Sequence, residues 1–305
     1  MESKEELLSD IARLKAEKNA VILAHYYCSD EVQALADHVG DSFYLAKVAK
    51  ATDADVIVFC GVSFMGESAK ILNPDKTVLM PDMHADCAMA HMADVRKIEE
   101  MRRLYPDLAV VCYINSTAEL KCHSDVCVTS SNAVRIVRAL PNKNIFFIPD
   151  RNLGRFVAEQ VPEKNVILND GCCHVHSGIS AQELAEQKRQ HPDAPVLSHP
   201  ECNEDVLALS DFAGSTAEII DFAKASAAHA FIICTEDGVE YRLRSDNPEK
   251  RFYFPQSRPC CADMKRNTLE NILKVLQTGE GRVEVDEATR LRALLPLERM
   301  LELGK

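Results

Sequence analysis

Three cysteines recur at almost equal intervals along the chain. Cys87, Cys173 and Cys261 are separated by 86 and 88 residues. Each follows a short apolar run that is typical of a buried strand, and each precedes a helical pattern. The three runs are residues 77–80, 165–168 and 251–254. A thiol at the same place in three similar segments predicts one site on a pseudo-threefold axis, with one ligand from each segment.

Other landmarks repeat with matching intervals. One set ends a predicted strand in each segment, a second set precedes a predicted helix, and both sets show intervals of 88 and 86 residues. The first set is His25, Tyr113 and His199, and the second is Ser42, Ser130 and Thr216. Unrelated landmarks that share their spacing indicate a triplicated supersecondary unit.

Strands that alternate with helices favour parallel sheets covered by helices. We therefore predict an α/β fold of three similar α/β domains, with short parallel sheets arranged about a pseudo-threefold axis. Because ligands of such sheets bind beyond the carboxyl ends of the strands, the active site is expected at the centre. The predicted repeats are residues 1–88, 89–174 and 175–262. Residues 263–305 are predicted to form helices that pack back on the first repeat.

Composition excludes several classes of protein. A chain of 305 residues with 47% hydrophobic content can bury a large core. The net charge of −12 argues against a nucleic-acid-binding surface, which needs a basic face. Residues 1–18 are charged, unlike a signal peptide, and no run approaches the roughly 18 apolar residues of a membrane span. We expect a soluble, cytoplasmic protein that binds neither nucleic acid nor membrane.

The chain contains 12 cysteines but no C-x-x-C pair, which argues against a zinc ribbon or a thioredoxin-like site. Three converging thiolates leave two interpretations as a metal site. Tetrahedral zinc would take a fourth ligand such as His84, His174 or His176. A 4Fe–4S cluster on three cysteines would leave one iron open as a Lewis acid. Spacing alone leaves open whether Cys172 or Cys260 replaces its neighbour as a ligand.

The strand ends carry donors and proton-transfer groups at matching positions. We expect His25, Tyr27, Tyr113, Asn115, His199 and Glu201 to point into one shared cavity. Ser42, Ser130 and Thr216 are predicted helix N-caps. Three helix N-termini that face one cavity would attract a substrate with two or three carboxylate or phosphate groups.

Nine motifs in order carry a resemblance to a known family. They are Ala24-His25-Tyr26-Tyr27, Gly40-Asp41-Ser42, Tyr113-Ile114-Asn115-Ser116-Thr117-Ala118-Glu119, Thr129-Ser130-Ser131-Asn132-Ala133, Pro149-Asp150-Arg151-Asn152-Leu153-Gly154, Cys173-His174-Val175-His176, His199-Pro200-Glu201-Cys202, Gly214-Ser215-Thr216 and Cys261-Ala262-Asp263-Met264-Lys265. With these motifs the chain resembles quinolinate synthase, the A protein of NAD (pyridine nucleotide) biosynthesis, over essentially its whole length.

The resemblance implies a transferase that condenses iminoaspartate (iminosuccinate) with dihydroxyacetone phosphate to quinolinate and releases phosphate and water. It implies a 4Fe–4S cluster on Cys87, Cys173 and Cys261, whose open iron acts as a Lewis acid. Cys261 is preferred to Cys260 because the family's cysteine lies three residues before the methionine, and Cys173 adjoins the His-Val-His motif. It also implies contact with the aspartate oxidase or dehydrogenase that supplies the imine.

By the same resemblance, Tyr27 and Glu201 are the proton-transfer groups, with His199 and Thr216 beside Tyr27. The substrate contacts fall on His25, Ser42, Tyr113, Asn115, Ser130, His199, Glu201 and Thr216. Two alternatives stay open. One is another hydro-lyase that uses a 4Fe–4S cluster on a small polycarboxylate, and the other is a non-enzymatic protein stabilised by zinc.

Overall fold

The computed structural model describes residues 3–305, in which three four-stranded parallel sheets are each accompanied by helices. We call these the first, second and third units. The first unit contains α1 (Lys4–Glu17), β1 (Ala20–His25), α2 (Asp30–Leu35), β2 (His38–Gly40), α3 (Ser42–Ala51), β3 (Val56–Cys60), α4 (Ser63–Leu72) and β4 (Thr77–Leu79). The predicted α/β class with three similar units is confirmed.

The second and third units repeat this order. The second contains α5 (Val95–Leu104), β5 (Leu108–Tyr113), α6 (Ala118–Cys122), β6 (Val126–Val128), α7 (Ala133–Ala139), β7 (Asn144–Ile148), α8 (Arg151–Gln160) and β8 (Asn165–Leu168). After the short α9 (His174–Ser177), the third contains α10 (Ala181–Gln190), β9 (Val196–Ser198), α11 (Glu204–Leu207), β10 (Phe212–Ala213), α12 (Thr216–Ala225), β11 (Ala230–Cys234), α13 (Val239–Asp246) and β12 (Arg251–Tyr253).

The three sheets share one strand order and one register. Their orders are β2-β1-β3-β4, β6-β5-β7-β8 and β10-β9-β11-β12, and every pairing within them is parallel. Helices cover both faces of such sheets, so their central strands are apolar throughout rather than alternating. All six residues of β5, Leu-Ala-Val-Val-Cys-Tyr, are buried.

One aspartate anchors the first strand of each sheet. Asp37, Asp125 and Asp211 accept a side-chain hydrogen bond from the backbone N–H of Ile22, Val110 and Val196, at 2.8, 2.7 and 2.8 Å. The backbone N–H of each aspartate donates to the carbonyl of the same strand residue, at 2.9 Å in all three units. We call these residues the strand aspartates. Their identical bonding shows that the three units are copies of one local design.

The C-terminal helices α14 (Leu269–Thr278) and α15 (Glu287–Leu303) pack in different places. α14 lies against α1 and closes the apolar cluster of the first unit. α15 packs against α6, β6 and α7 of the second unit and against α4 of the first. Residues 263–305 are expected to pack back on the first repeat; α14 contacts that unit, and α15 lies between it and the second unit.

The largest core cluster is continuous across the first and second units, whereas the third unit has its own smaller clusters. Among residues 3–305, no helix combines the length and the apolar character that crossing a membrane requires.

Phe231→Ala is expected to lower the free energy of unfolding by about 3–5 kcal/mol, because the ring is fully buried and its removal leaves a cavity. The ring stacks on Phe252 with 5.8 Å between centroids. Denaturant unfolding measures the loss. Leu295→Ala, at a side chain that is 68% exposed, is the matched control and is expected to change stability by less than about 0.5 kcal/mol. Equal effects of the two substitutions would contradict this description of the core.

Candidate active site

One cavity is lined by residues from all three units, at and just beyond the carboxyl ends of the first strands of the sheets. It encloses ≈ 810 Å³ of space free of atoms, open solvent at its mouth included. All twelve residues predicted for the site line it, namely His25, Tyr27, Ser42, Cys87, Tyr113, Asn115, Ser130, Cys173, His199, Glu201, Thr216 and Cys261.

A chain of hydrogen bonds crosses the cavity wall from Glu201 to Tyr27. Glu201 Oε2 lies 2.8 Å from His176 Nδ1, and His176 Nε2 lies 2.9 Å from Thr235 Oγ1. The Tyr27 hydroxyl then bonds Thr235 Oγ1 at 2.9 Å and Thr216 Oγ1 at 2.6 Å. All five side chains are buried, so this network connects the two predicted proton-transfer groups without water.

The Glu201 carboxylate has several partners. Burial favours its neutral form, but the neighbouring His176 and His199 and hydrogen bonds from His176 and Tyr113 outweigh burial and lower the pKa of Glu201 to about 2. The His199 ring stacks on His176 with 4.5 Å between centroids. Glu201 is therefore ionised at neutral pH although it is only 2% exposed.

Tyr27 is shifted in the opposite direction. Burial raises the pKa of its phenol well above the usual value, and the hydrogen bonds from Thr216 and Thr235 only partly offset this. Its ring also meets His25 edge to face, with 4.5 Å between centroids. The cavity thus holds a protonated phenol and an ionised carboxylate, which are an acid and a base of fixed protonation state.

Comparison with known proteins agrees with this geometry. A family model described as "Quinolinate synthetase A protein" matches residues 9–302. The chain is 51% identical to the quinolinate synthase of Fusobacterium nucleatum subsp. nucleatum over 294 residues, which are 96% of this chain and 98% of that protein. It is 49% and 50% identical to the quinolinate synthases of Clostridioides difficile and Caldicellulosiruptor bescii, each over 300 residues, 98% of this chain and 99% of the relative.

The chain belongs to the quinolinate synthase family. The match covers all three units and every residue that lines the cavity.

Within this quinolinate synthase fold, the three cysteines share one local arrangement. Cys87, Cys173 and Cys261 each precede a short helical turn, Ala88–His91, His174–Ser177 or Met264–Arg266. The backbone N–H groups two and three residues ahead of each cysteine act to lower the pKa of its thiol: Met89 and Ala90, Val175 and His176, or Asp263 and Met264. Donors aimed at the sulfur favour its thiolate form, which is the form that binds metal.

Burial opposes that effect in the protein alone. It raises the pKa of Cys87 to about 12 and of Cys261 to about 11, and it raises the pKa of Cys173 well above the ordinary value. A bound metal reverses this balance, because a coordinating thiol is deprotonated outright. Three partly buried thiols with backbone N–H groups nearby, one from each unit, fit a metal cluster that bridges the units.

The cysteine doublets separate in space. Cys173 and Cys261 line the cavity, whereas their neighbours Cys172 and Cys260 do not, and Cys260 is exposed. Of the histidines considered for zinc, His174 and His176 line the cavity and His84 lies outside it. The ligand atoms of Cys173, His176 and Glu201 lie within 4.8 Å of one another, so these three could also hold a single ion.

The predicted helix caps are wrong by one or two residues. The N-caps of α3, α7 and α12 are Asp41, Asn132 and Ser215. Ser42 and Thr216 are instead the first residues of their helices, and Ser130 lies in the turn before α7. Because Asp41 caps α3, the hydroxyl of Ser42 stays available to the cavity, whereas the hydroxyl of Thr216 bonds that of Tyr27.

Two further observations concern ligands and missed residues. Asn115 Oδ1 is buried without a hydrogen-bond partner, and it belongs to a residue that lines the cavity. An orphaned acceptor of this kind indicates a missing donor. Thr235 and the bridging role of His176 were not predicted, because Thr235 belongs to no recognisable motif and becomes a neighbour of Tyr27 only when the first and third units meet.

The buried His25 and His199 are expected to lower the free energy of unfolding of the metal-free protein as the pH falls from 7 to 5, while Asp150, whose pKa burial raises to about 8, acts in the opposite direction. Burial lowers the pKa of His25 and His199 to about 3 in the folded state, below the unfolded value near 6.5. Between these values the unfolded chain binds more protons, so each histidine costs about 2 kcal/mol at pH 5. Denaturant unfolding at both pH values measures the loss, and His25→Gln is expected to reduce it by one histidine's share. An unchanged loss in His25→Gln would contradict the buried, neutral state of this ring.

Proposed function

We propose that this chain condenses iminoaspartate with dihydroxyacetone phosphate to form quinolinate, with release of phosphate and water, and so acts as a transferase. The observation that carries the proposal is the convergence of the predicted substrate, proton-transfer and cysteine residues on one cavity. Membership of the quinolinate synthase family supports it. The imine is unstable, so we also propose that an aspartate oxidase or dehydrogenase supplies it.

We propose further that Cys87, Cys173 and Cys261 hold a 4Fe–4S cluster. Three protein ligands leave one iron of such a cluster open, and that iron supplies a Lewis acid for the loss of water. The convergence of one thiol from each unit and the backbone donors around each sulfur support this assignment.

Helix N-termini are proposed to bind the anionic groups of both substrates. α3 and α12 each begin at the cavity with a hydroxyl residue, Ser42 or Thr216, and Ser130 stands in the turn before α7. The free N–H groups and the positive end of a helix dipole favour carboxylate and phosphate at such places. This arrangement offsets the repulsion that Glu201 would exert on an incoming dianion. Asn115 Oδ1 can accept from an N–H or O–H of the substrates.

Tyr27 and Glu201 are proposed to move the protons. The phenol of Tyr27 stays protonated at neutral pH and can donate, while the ionised Glu201 can accept a proton. With His176 Nδ1 donating to Glu201, His176 and Thr235 connect the two groups in the direction from the Tyr27 phenol to the Glu201 carboxylate.

The decisive experiment is metal and product analysis of protein purified without oxygen. About four irons and four sulfides per chain are expected, together with quinolinate, identified by mass spectrometry, when both substrates are supplied. Zinc without iron or sulfide would contradict the cluster. A cluster-containing protein that releases a dehydrated acid but no pyridine would contradict the condensation and favour another hydro-lyase.

Cys261→Ser is expected to lose most of its iron and sulfide, because a serine hydroxyl replaces one of three thiolate ligands. Cys260→Ser changes the exposed neighbour, which lies outside the cavity, and is the matched control that should keep the full cluster. Iron and sulfide assays on both variants measure the effect. Loss of iron in Cys260→Ser with retention in Cys261→Ser would show that Cys260, and not Cys261, is the metal ligand.

Tyr27→Phe is expected to keep the cluster but lower kcat about 10²- to 10⁴-fold, the range for removal of a general acid or base. Tyr26→Phe removes the neighbouring hydroxyl, which lies outside the cavity lining, and should leave kcat nearly unchanged. Steady-state quinolinate formation at matched iron content compares the two. Full activity of Tyr27→Phe would remove this phenol from the reaction.

A further inference from the structure

The backbone N–H of each cavity cysteine donates to a carboxylate. The N–H of Cys173 bonds Asp150 Oδ2 at 3.1 Å, and the N–H of Cys261 bonds Glu236 Oε1 at 2.9 Å. In the first unit the N–H of Cys87 bonds Oδ1 of the preceding Asp86 at 2.8 Å. Neither Asp150 nor Glu236 is a metal ligand or a proton-transfer group in the proposed reaction, so their place beside the cysteines needs another explanation.

Asp150 and Glu236 occupy the same position of the repeated unit. Each lies two residues beyond the third strand in sequence, β7 or β11. The matching residue of the first unit, two residues beyond β3, is Val62, which has no acceptor. In the first unit Asp86 accepts the hydrogen bond from the cysteine N–H instead, and it also accepts from the hydroxyl of Ser63. A carboxylate at the cysteine is therefore present in every unit, although the first unit supplies it from a different place.

Both carboxylates are fully buried, which is costly unless every oxygen has a donor. Asp150 Oδ1 accepts from the N–H of Leu153 at 2.6 Å. Glu236 Oε2 accepts from the N–H of Gly238 at 2.7 Å, and Glu236 Oε1 also meets Lys265 Nζ at 3.0 Å. Each carboxylate thus ties two separate stretches of backbone together, one at the start of the helix that follows a core strand, α8 or α13, and one at a cysteine.

The cysteine segments have little regular structure of their own. Residues 169–173 and 254–261 contain neither helix nor strand beyond one isolated bridge at Gly171. A fixed N–H direction restricts the backbone of the cysteine, and with it the position of the sulfur. Groups that orient metal ligands in this way commonly determine how tightly the metal is held.

We propose that Asp150 and Glu236 are positioning residues, which tie Cys173 and Cys261 to the carboxyl ends of β7 and β11 and so hold their sulfurs ready for the metal. The inference rests on the proposed cluster. It assigns a role to two residues that act through the metal ligands. It also predicts that the second and third units orient their cysteines by the same hydrogen bond, from the cysteine N–H to a carboxylate.

The test is the rate at which the purified, cluster-containing protein releases iron to a chelator without oxygen. Asp150→Asn and Glu236→Gln keep side-chain size but replace one acceptor oxygen by an NH₂ group. Both are expected to release iron about 10- to 100-fold faster than the unchanged chain, the usual effect of removing a group that orients a ligand. A changed electron paramagnetic resonance spectrum of the reduced cluster is expected as well.

The strand aspartates supply matched controls. Asp125→Asn and Asp211→Asn also remove a carboxylate that accepts a backbone N–H in the same units. These residues directly precede β6 and β10, whereas Asp150 and Glu236 follow the carboxyl ends of β7 and β11. They are expected to lower the free energy of unfolding by an amount similar to the test variants while iron release stays as in the unchanged chain. This comparison separates positioning of the cysteines from general loss of stability.

The outcomes distinguish the inference from the proposed function. Iron release from the test variants no faster than from the controls would overturn the positioning role and leave the cluster standing. An unchanged chain that holds no iron or sulfide would overturn both. If Asp150→Asn does not fold, Asp150→Glu and Glu236→Asp keep the carboxyl group but move the acceptor, and faster iron release is expected from them too. Slow release from these folded variants would contradict the inference.

Discussion

Parallel pairing with one register in three sheets is the constraint on which the site depends. The first strand runs in the same direction relative to its neighbours in all three sheets. The carboxyl end of each first strand, with the polar residues that follow it, therefore reaches the cavity. A shift of one residue in a strand would turn its polar end away from the cavity. The strand aspartates stabilise this register, because each joins the first strand to the turn before the second through two hydrogen bonds.

The electrostatics of the cavity follow from burial. A carboxylate, a phenol and several imidazoles lie out of water, and each takes the protonation state that its neighbours permit. Glu201 stays ionised because His176 and Tyr113 donate to it, while burial keeps Tyr27 protonated and His25 neutral. The pKa values of the two groups are pushed apart, so each group holds a single protonation state at neutral pH. Lys265 balances the buried Glu236 at the edge of the same cavity.

Much of this could be predicted from the sequence, because the repeat carried the information. Equal spacing placed the cysteines and the strand ends in equivalent positions, and parallel strands then brought them together. The short strands β2, β6 and β10 were not predicted, since two or three residues show no periodicity. The helix α13 was not predicted either; the turn residues Glu236-Asp237-Gly238 come directly before it. Contacts between units, such as Tyr27 with Thr235 or α15 with α6, depend on tertiary packing that spacing does not encode.

The repeat is strict in its backbone and varied in the side chains that it presents. The strand ends carry His25, Tyr113 and His199, and two residues further on Tyr27, Asn115 and Glu201. A chamber with three identical walls would accept an asymmetric molecule in three equivalent poses, of which only one could react. Here the walls differ in charge and in hydrogen-bonding character. One orientation of the bound molecule is therefore favoured over the other two, although the three units share one backbone design.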